Sequence, residues 1–487
     1  MIAHDQFVGG AWVQATGDQM PAINPYSGEV FATYNCATPE EVDVAVRAAS
    51  TAFESWRQSS GLERANLMNR LADALDRDAE KLARVETLDN GKIIRETKNQ
   101  IHFAARTYRY YAGYADKITG ETKPMDRWTI LDYTTREPLG VCALITAWNS
   151  PLQLLSNKLA PALAAGNTVV IKPSEHTSIS TLEFGRIVEE VGFPAGVINV
   201  ICGAIETGIA LTSHPLVAKI SFTGSTNVGS SIAQTAAKTI TPVTLELGGK
   251  SANIIFSDAD LDRAIPGAVS GIFAAAGQTC VAGSRLLVQR AVYDQVVARI
   301  THSAETIVLG DPLEAATEMG PVAHKAQFEA VNLKIAGAIK DGATLVIGGV
   351  ARETNSAPYF IAPTIFVDVT NDMRIAQEEV FGPVLVVIAF DTEDEAIAIA
   401  NDTRFGLAAG IWTKDINRAH RVAKELICGN VWVNTYRASG PQAPFGGTKA
   451  SGYGRERGVE ALNYYTRVKN TMVDLSDDIR DPFKLGT

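Results

Sequence analysis

Cys280 is the residue of this chain whose type and setting best suit nucleophilic chemistry. It lies in the segment GIFAAAGQTCVAGSR, where Gly277 and Gly283 permit backbone conformations that other residues resist. A thiolate presented by such a loop could attack an electrophilic carbon. The alternative is a small buried hydrophobe, as most unpaired cysteines are. Cys142 and Cys202, which lie in or at the end of apolar runs, fit that alternative better.

Two further polar residues lie in or directly after apolar runs. Glu246 lies in PVTLELGGKSANIIF, where a carboxylate is costly unless it is paired or placed for a task. A salt-bridged glutamate at a strand end is the ordinary alternative. Asn149 follows Trp148 at the end of CALITAW, and Pro151 begins the next helix. We therefore expect Asn149 at the carboxyl edge of a parallel sheet, where ligands bind, although a turn or N-cap role would also explain it.

Two segments suit the parts of a nucleotide. Lys172 and Glu175 end the run TVVIKPSEH and are well placed for ribose hydroxyls, with a surface ion pair as the alternative. Residues 222–229, FTGSTNVG, form a strand-to-helix turn whose glycines and free helix N-terminus suit a phosphate group. This turn does not match GxGxxG and is weak evidence by itself.

The elements that must position these residues follow two patterns. Between about Pro39 and Gly113 the apolar spacing is helical, with Thr38 as an N-cap and Gly91 after the second long run. Over residues 140–249, helical stretches alternate with the apolar runs VCALITAW, TVVIKP, GVINVI, AKISFTG and PVTLELGG. This alternation predicts βαβ units on a parallel sheet.

A second alternating series predicts a second α/β domain. Its apolar runs are SANIIF, RLLVQ, ATLVIGG, PTIFVDV, VLVVIAF, GLAAGIWT and GNVWVN. Residues 118–138 and the tail from Thr466 fit neither series and carry β-type residues without an obvious partner strand. Exposed edges of that kind are usually covered, often by another subunit.

Bulk properties exclude several classes of protein. A length of 487 residues exceeds the roughly 250–300 at which one core stops growing, so at least two domains are expected. The net charge of −10 and the lack of a long basic run argue against a nucleic-acid or membrane partner. The N-terminus lacks a signal-peptide pattern, and no window approaches a membrane span, which predicts a cytoplasmic protein with a small-molecule substrate. The five cysteines show no CxxC spacing, so no metal site is expected.

Taken together, these strings resemble the aldehyde dehydrogenase superfamily along nearly the whole chain. The matching runs, in the family's order, are WNSPLQLLSNKLAPALAAGNTVVIKPSE, FTGSTNVG, LELGGKSANIIF, GQTCVAGSR, EEVFGPVL, GNVWVN and PFGGTKASGYGRERG. The resemblance implies an α/β fold with a Rossmann-type NAD-binding domain (1–117 and 139–248) and an α/β catalytic domain (249–450). It also implies a small β oligomerisation arm with the C-terminal segment (118–138 and 451–487), and a homodimer or homotetramer.

The resemblance also implies catalytic roles. Cys280 resembles the nucleophile that attacks the aldehyde carbon, and the resulting oxyanion would be held by the Asn149 amide and the Cys280 backbone N–H. Glu246 resembles the base that activates water against the thioester. The implied reaction is NAD-dependent oxidation of an aldehyde to its acid without a metal.

The cofactor contacts follow from the same resemblance. A carboxylate at Glu175 accepts hydrogen bonds from ribose hydroxyls and repels a 2′-phosphate, so NAD is expected, with NADP as a weaker alternative. Lys158 and Asn434 match structural positions near the active site. The residues that match cofactor contacts are Trp148, Lys172, Glu175, Gly224, Ser225, Leu247, Glu379 and Phe381.

The substrate pocket is expected to be wide. In relatives that favour small or cationic aldehydes, the positions matching Ser150, Asn157 and Ser439 are often aromatic, whereas here all three are small and polar. We therefore expect an aldehyde bulkier than acetaldehyde, either aromatic, branched or a semialdehyde, and not a choline-derived one. Arg437 is also compatible with a substrate that carries a carboxylate group, although a surface position is the favoured interpretation of this arginine. The predicted pocket residues are Phe103, Ser150, Leu154, Asn157, Tyr436 and Ser439.

Three other functions are compatible with parts of this pattern. In a CoA-acylating relative, CoA rather than water takes the thioester, but that group usually lacks the glutamate matching Glu246. A non-catalytic homologue is expected to have lost Cys280, Asn149 or Glu246, and all three are present. Esterase turnover without NAD is a possible side activity, because ester hydrolysis would pass through an acyl-enzyme as aldehyde oxidation does.

Overall fold

The computed structural model of the chain describes residues 2–350, 358–477 and 483. Within them the strands form five sheets, of eight, seven, three, three and two strands. Helices lie between most of the strands of the two large sheets. The predicted α/β class is confirmed.

The eight-stranded sheet contains the first predicted βαβ series. Its central five strands run parallel, and the outer strands are antiparallel to their neighbours. The order across this sheet is Gly452–Tyr453, Val243–Glu246, Val217–Thr223, Val141–Ile145, Thr168–Lys172, Ile198–Val200, Gln6–Val8 and Ala11–Val13. The crossover helices are Pro151–Ala164, Ile179–Val191, Ile205–Thr212 and Thr226–Ala237. The strands Val141–Ile145 and Thr168–Lys172 are buried at every position, as expected for parallel strands covered on both faces.

The helical N-terminal region packs against this sheet through a shared apolar core. Its helices are Pro39–Trp56, Gly61–Arg77, Ala79–Asn90 and Ile94–Ala112. Thr38 forms the predicted N-cap within a capping box, and Gly91 ends the third helix with a φ of 78°. The second predicted helical run is two helices, because Asp78 takes non-helical dihedrals of −99° and 14°.

The seven-stranded sheet contains all seven apolar runs of the second predicted series. Six strands are parallel, and the edge strand Thr344–Ile347 is antiparallel to its neighbour. The order is Thr344–Ile347, Thr364–Val367, Val384–Phe390, Arg285–Gln289, Ala252–Ile255, Ala408–Trp412 and Asn430–Val433. Its helices are Leu261–Phe273, Tyr293–Glu305, Lys325–Lys340, Arg374–Gln377, Glu393–Asn401 and Ile416–Glu425.

The two segments without an obvious partner strand pair with each other. Ile130–Pro138 and Thr466–Asp474 form nine antiparallel residue pairs, and Thr122–Lys123 pairs with the other edge of Ile130–Pro138. Val468 and Met472 on the outer strand are 58% and 60% exposed. An oligomerisation role for this sheet and the proposed domain boundaries stay predictions.

The remaining elements are short. They are the strands Ile2–His4, Gln19–Ile23, Val30–Asn35, Phe405–Gly406 and Thr448–Lys449, the helix Glu460–Asn463, and the 3-10 turns Ala274–Gly277 and Arg290–Val292. Across the described parts of the chain, no helix combines the length and apolarity needed to cross a bilayer. Residues 247–251 link the strand Val243–Glu246 directly to Ala252–Ile255, so Glu246 lies where the two large sheets join.

Candidate active site

The loop that carries Cys280 is built from unusual backbone conformations. After the helix Leu261–Phe273, Ala275 and Ala276 have φ values of 54° and 52°, and Gly277 has a φ of 70°. A Cβ on Gly277 would lie 2.0 Å from the carbonyl oxygen of Gly382, so this position excludes a side chain. Left-handed non-glycine residues cost about 1–2 kcal/mol each and concentrate at functional sites.

The thiol of Cys280 is partly buried and surrounded by charged groups. Burial raises its pKa to about 12, and the carboxylates of Glu379 and Glu246 add to the rise, while Arg457 and Arg437 oppose it. The resting thiol is therefore protonated at neutral pH. Attack on a carbonyl carbon requires a base that removes this proton.

Asn149 is held next to the cysteine loop. Its Nδ2 donates to the carbonyl oxygen of Gln278 at 2.9 Å, two residues before Cys280. Gln278 is fixed in turn, since its Oε1 accepts from the backbone N–H of Ala323 at 2.8 Å. The amide is 8% exposed, so few water molecules compete for its hydrogen bonds.

Glu246 is a buried carboxyl group without a hydrogen-bond partner. Neither of its oxygens has a partner within the described chain, and burial followed by the nearby Glu456 carboxylate raises its pKa well above the usual value. Glu456 itself forms a buried ion pair with Lys158, whose Nζ also contacts Ser221 Oγ at 3.3 Å. A buried carboxyl with a raised pKa suits a general base.

Two cavities meet at Cys280. One has a volume of about 240 Å³ and the other about 390 Å³. The residues that line both cavities are Asn149, Leu154, Thr223, Glu246 and Cys280. The thiol is therefore accessible from two sides, as a reaction between two bound molecules requires.

The smaller cavity contains most of the predicted cofactor residues. Phe381, with a φ of 55°, packs edge-on against Trp148 with ring centroids 5.1 Å apart. Glu379 accepts a hydrogen bond from the N–H of Gly249 at 3.0 Å. The predicted residues lining this cavity are Trp148, Gly224, Ser225, Leu247, Glu379 and Phe381.

The N-terminus of the helix Thr226–Ala237 lies at the same cavity. Ser225 is its N-cap and accepts from the N–H of Val228 at 3.3 Å. A Cβ on Gly229 would lie 2.5 Å from the Leu247 side chain, so glycine allows this helix to approach the sheet closely. Free N–H groups at such a terminus attract anionic oxygens.

Lys172 and Glu175 do not line that cavity. Lys172 Nζ lies 4.0 Å from Glu175 Oε2 and donates to the carbonyl of Pro173 at 3.1 Å, and burial lowers the pKa of the lysine. The loop is fixed because the Tyr34 hydroxyl donates to the carbonyl of Glu175 at 2.8 Å. The pair is thus preformed after the strand Thr168–Lys172.

The larger cavity contains four of the six predicted substrate residues: Ser150, Leu154, Asn157 and Ser439. Phe103 and Tyr436 do not line it. The Phe103 ring lies under the guanidinium of Arg457, 5.1 Å from its centroid. The Tyr436 hydroxyl donates to the carbonyl of Val281 at 2.9 Å, so this ring lies behind the cysteine loop.

Some residues at the site have no role predicted from the sequence, and others have only a doubtful one. Arg457 and Lys92 line the larger cavity, and so does Arg437, for which a surface position was the favoured interpretation. Asn434 joins two strand ends, because its Nδ2 donates to the carbonyl of Thr413 at 2.9 Å. In the sequence, Arg457 is one of the charged residues of the glycine-rich segment GYGRERG. That segment does not show whether the charge is buried, because burial depends on the tertiary structure.

Comparison with known proteins assigns the family. The model of the aldehyde dehydrogenase family matches residues 12–471, and the chain belongs to this family. An aldehyde dehydrogenase of Emericella nidulans is 48% identical over 480 residues, covering 98% of this chain and 95% of the relative.

Solved structures give the same fold. A point mutant of betaine aldehyde dehydrogenase from Staphylococcus aureus in complex with NAD+ superposes with a TM-score of 0.97 at 40% identity, covering 99% of this chain and 100% of that one. A mutant aldehyde dehydrogenase from Bacillus cereus gives a TM-score of 0.95 at 44% identity, with 97% and 96% coverage. The fold is therefore that of the aldehyde dehydrogenases.

Proposed function

We propose that this protein oxidises an aldehyde to the carboxylic acid with NAD, using Cys280 as nucleophile and Glu246 as base. The observation that carries the proposal is the position of Cys280 between two cavities, with Asn149 and Glu246 lining both. One cavity accommodates the substrate and the other the reacting end of the cofactor. The family membership of the chain supports the same reaction class.

The first step is addition of the thiolate to the aldehyde carbon. The Cys280 thiol loses its proton through water to the solvent, assisted by Glu246, the S–C bond forms, and the carbonyl electron pair moves to oxygen. The Asn149 Nδ2 and the Cys280 backbone N–H donate to this oxyanion, which lowers the barrier by electrostatic stabilisation in a site with little water. Because burial raises the pKa of the Cys280 thiol to about 12, proton removal contributes to the barrier of this step.

NAD, when bound, supplies the acceptor for the hydride that leaves the tetrahedral carbon. Collapse of the oxyanion then gives a thioester on Cys280. Glu246 removes a proton from water, the oxygen attacks the thioester carbon, and the C–S bond breaks. The acid is released, and the Cys280 thiolate takes the proton back from Glu246. The carboxyl group of Glu246 can activate water, which favours water over CoA as the acceptor of the acyl group.

The chain's own residues fit the cofactor. The Ser225-capped helix terminus suits a pyrophosphate, Glu379 and Phe381 suit the nicotinamide ribose, and the Lys172–Glu175 pair suits the second ribose. A carboxylate at Glu175 favours NAD, with NADP as a weaker alternative.

The substrate is bulkier than acetaldehyde under this proposal. A cavity of about 390 Å³ lies within the range of pockets for molecules much larger than two carbons. Its apolar wall includes Leu154, Trp432 and Phe445, which suits an aromatic, branched or semialdehyde substrate. The exposed strand Thr466–Asp474 supports a homodimer or homotetramer. A cytoplasmic location stays a prediction.

The test is turnover of a panel of aldehydes with NAD, followed by absorbance of the reduced cofactor. We expect oxidation by the wild type and none by Cys280→Ala. The matched control is Cys428→Ala, which removes another partly buried free thiol and should keep full activity. Substantial turnover by Cys280→Ala, or no oxidation of any aldehyde by the wild type, would refute the proposed function.

A further inference from the structure

Three cationic side chains lie in the wall of the larger cavity. Lys92, Arg437 and Arg457 all line it, together with Cys280. Lys92 and Arg457 are 5% and 9% exposed, so these are not surface charges that happen to lie near an opening. Buried cations are costly unless an anion or a set of hydrogen bonds compensates them.

Arg457 is held rigidly by neutral groups. Its Nε donates to Asn157 Oδ1 at 3.2 Å, and its Nη1 donates to Ser439 Oγ at 2.5 Å. The guanidinium lies between the rings of Phe103 and Phe445, 5.1 and 4.8 Å from their centroids. Over the described ranges, no carboxylate lies within 4.0 Å of this guanidinium, and no hydrogen bond from Nη2 is found.

The other two cations share one carboxylate. Glu96 Oε1 lies 3.9 Å from Lys92 Nζ and 3.5 Å from an Arg437 nitrogen. Two carboxyl groups line the cavity itself: Glu456, which is paired with Lys158, and Glu246, which lies beside Cys280. The wall therefore carries more positive than negative charge.

The small polar residues of the pocket orient these cations. Ser150 Oγ accepts from Lys92 Nζ at 2.6 Å, while Asn157 and Ser439 both accept from Arg457. A phenylalanine or tryptophan at any of these positions could not accept such a bond. The three small residues thus do more than enlarge the pocket, because they hold positive charge at its wall.

We propose that the aldehyde substrate carries a carboxylate group and that Arg457 binds it. This inference rests on the proposed function and specifies its substrate class: an aldehyde acid with an apolar aromatic or aliphatic spacer. The guanidinium fork recognises a planar carboxylate through paired charge-assisted hydrogen bonds, with Arg437 adding positive charge at the same cavity. The apolar spacer contacts Leu154 and Phe445, and the aldehyde carbon reaches Cys280.

The test compares aldehydes matched in shape and different in charge. The first pair is benzaldehyde with a para-carboxyl or a para-methyl group, and the second is succinic semialdehyde and butanal. For the wild type we expect kcat/KM to be higher for the carboxylated member of at least one pair by about tenfold or more. This measurement requires no variant, so it does not depend on the folding of a mutant.

Variants then assign the preference to one residue. Arg457→Met should lower the ratio of kcat/KM for the carboxylated over the neutral aldehyde by roughly 10- to 100-fold, mostly through KM, and Arg457→Lys should restore part of it. The matched control is Arg455→Met. That arginine is two residues away, donates to the carbonyls of Gly447 and Gly454 and does not line the cavity, so the ratio should stay at the wild-type value.

The outcomes separate this inference from the proposed function. Oxidation of neutral aldehydes at equal or higher kcat/KM by the wild type, or an unchanged ratio in Arg457→Met, would overturn the carboxylate assignment and leave the aldehyde dehydrogenase reaction standing. A fall of equal size for both members of a pair would mean that Arg457 acts on Cys280 or on the loop, and would also overturn it. No oxidation of any of the four aldehydes would overturn this inference, whereas the proposed function is overturned only if the wild type also fails on the whole aldehyde panel.

Discussion

The side chain of Asn149 and the carbonyl of Gln278 form a hydrogen bond of 2.9 Å across the site. Asn149 follows the strand Val141–Ile145 of the eight-stranded sheet, and Gln278 precedes the strand Arg285–Gln289 of the seven-stranded sheet. The bond therefore ties the two large sheets together beside Cys280. The geometry of the proposed oxyanion donors depends on how these sheets are joined.

Replacing Glu246 by Gln should stall the reaction at the acyl-enzyme. The amide keeps the shape of the side chain but cannot accept a proton from water, so steady-state turnover should fall about 100-fold or more. Intact-protein mass spectrometry after mixing with NAD and an aldehyde should show the acyl mass on Cys280. The exposed Glu206→Gln is a suitable control, expected to turn over normally. Normal rates in Glu246→Gln without a trapped adduct would contradict the assigned role.

Activity should rise with pH. Burial raises the pKa of both the Cys280 thiol and the Glu246 carboxyl, and each group acts in its deprotonated form. A raised pKa leaves less of that form at low pH, so kcat/KM should increase between about pH 6 and pH 9. In Glu246→Gln, the part of the increase in kcat/KM that depends on ionisation of this carboxyl should be absent. A profile that falls over this range would show that the reactive forms are protonated.

NAD should be preferred to NADP. The carboxylate of Glu175 lies 4.0 Å from Lys172 Nζ at the expected ribose position, where it would repel a 2′-phosphate. We expect a higher kcat/KM with NAD for the wild type, and a smaller NAD-to-NADP ratio in Glu175→Gln. Initial rates with both cofactors provide the measurement. An equal or better kcat/KM with NADP in the wild type would refute this assignment.

The ion pair between Lys158 and Glu456 should matter for stability. Lys158→Met leaves the buried Glu456 without its partner, which typically lowers the free energy of unfolding by about 3–5 kcal/mol. Lys219→Met is the matched control, because the Lys219 ammonium donates to the neutral Thr244 hydroxyl and burial lowers its pKa to about 7. Loss of the hydrogen bond between Lys219 and Thr244 in this variant should lower the free energy of unfolding by about 1 kcal/mol.

Calorimetry at one fixed protein concentration measures both variants, since oligomerisation would make the melting temperature concentration-dependent. Lys158→Met should melt well below Lys219→Met. Equal melting temperatures would contradict the stability contribution assigned to the Lys158–Glu456 ion pair.

The elements of the two large sheets were predictable because their signal is local. Apolar runs such as VCALITAW and VLVVIAF form strands wherever both faces are covered, and the alternation with helices fixes a parallel arrangement. The cysteine, glutamate and asparagine of the proposed mechanism could be selected as candidates from their local settings, whereas their roles were implied only by the resemblance to the family.

The contacts between distant residues could not be predicted in this way. Arg457 and Asn157 are 300 positions apart, and Lys158 and Glu456 are 298 apart, so no local pattern relates them. Tyr436 and Phe103 were predicted as pocket walls, but their rings pack behind the cysteine loop and under Arg457.

What the sequence determined by itself was the set of elements and the candidates for reactive residues, because hydrophobic periodicity and side-chain chemistry are encoded locally. What the tertiary structure decided was the electrostatics of the pocket. Whether Arg457 is a solvated surface charge or a buried cation depends on which neighbours exclude water from it. Those neighbours, Phe103, Asn157 and Ser439, come together only when the helices and the C-terminal segment pack over the joined sheets.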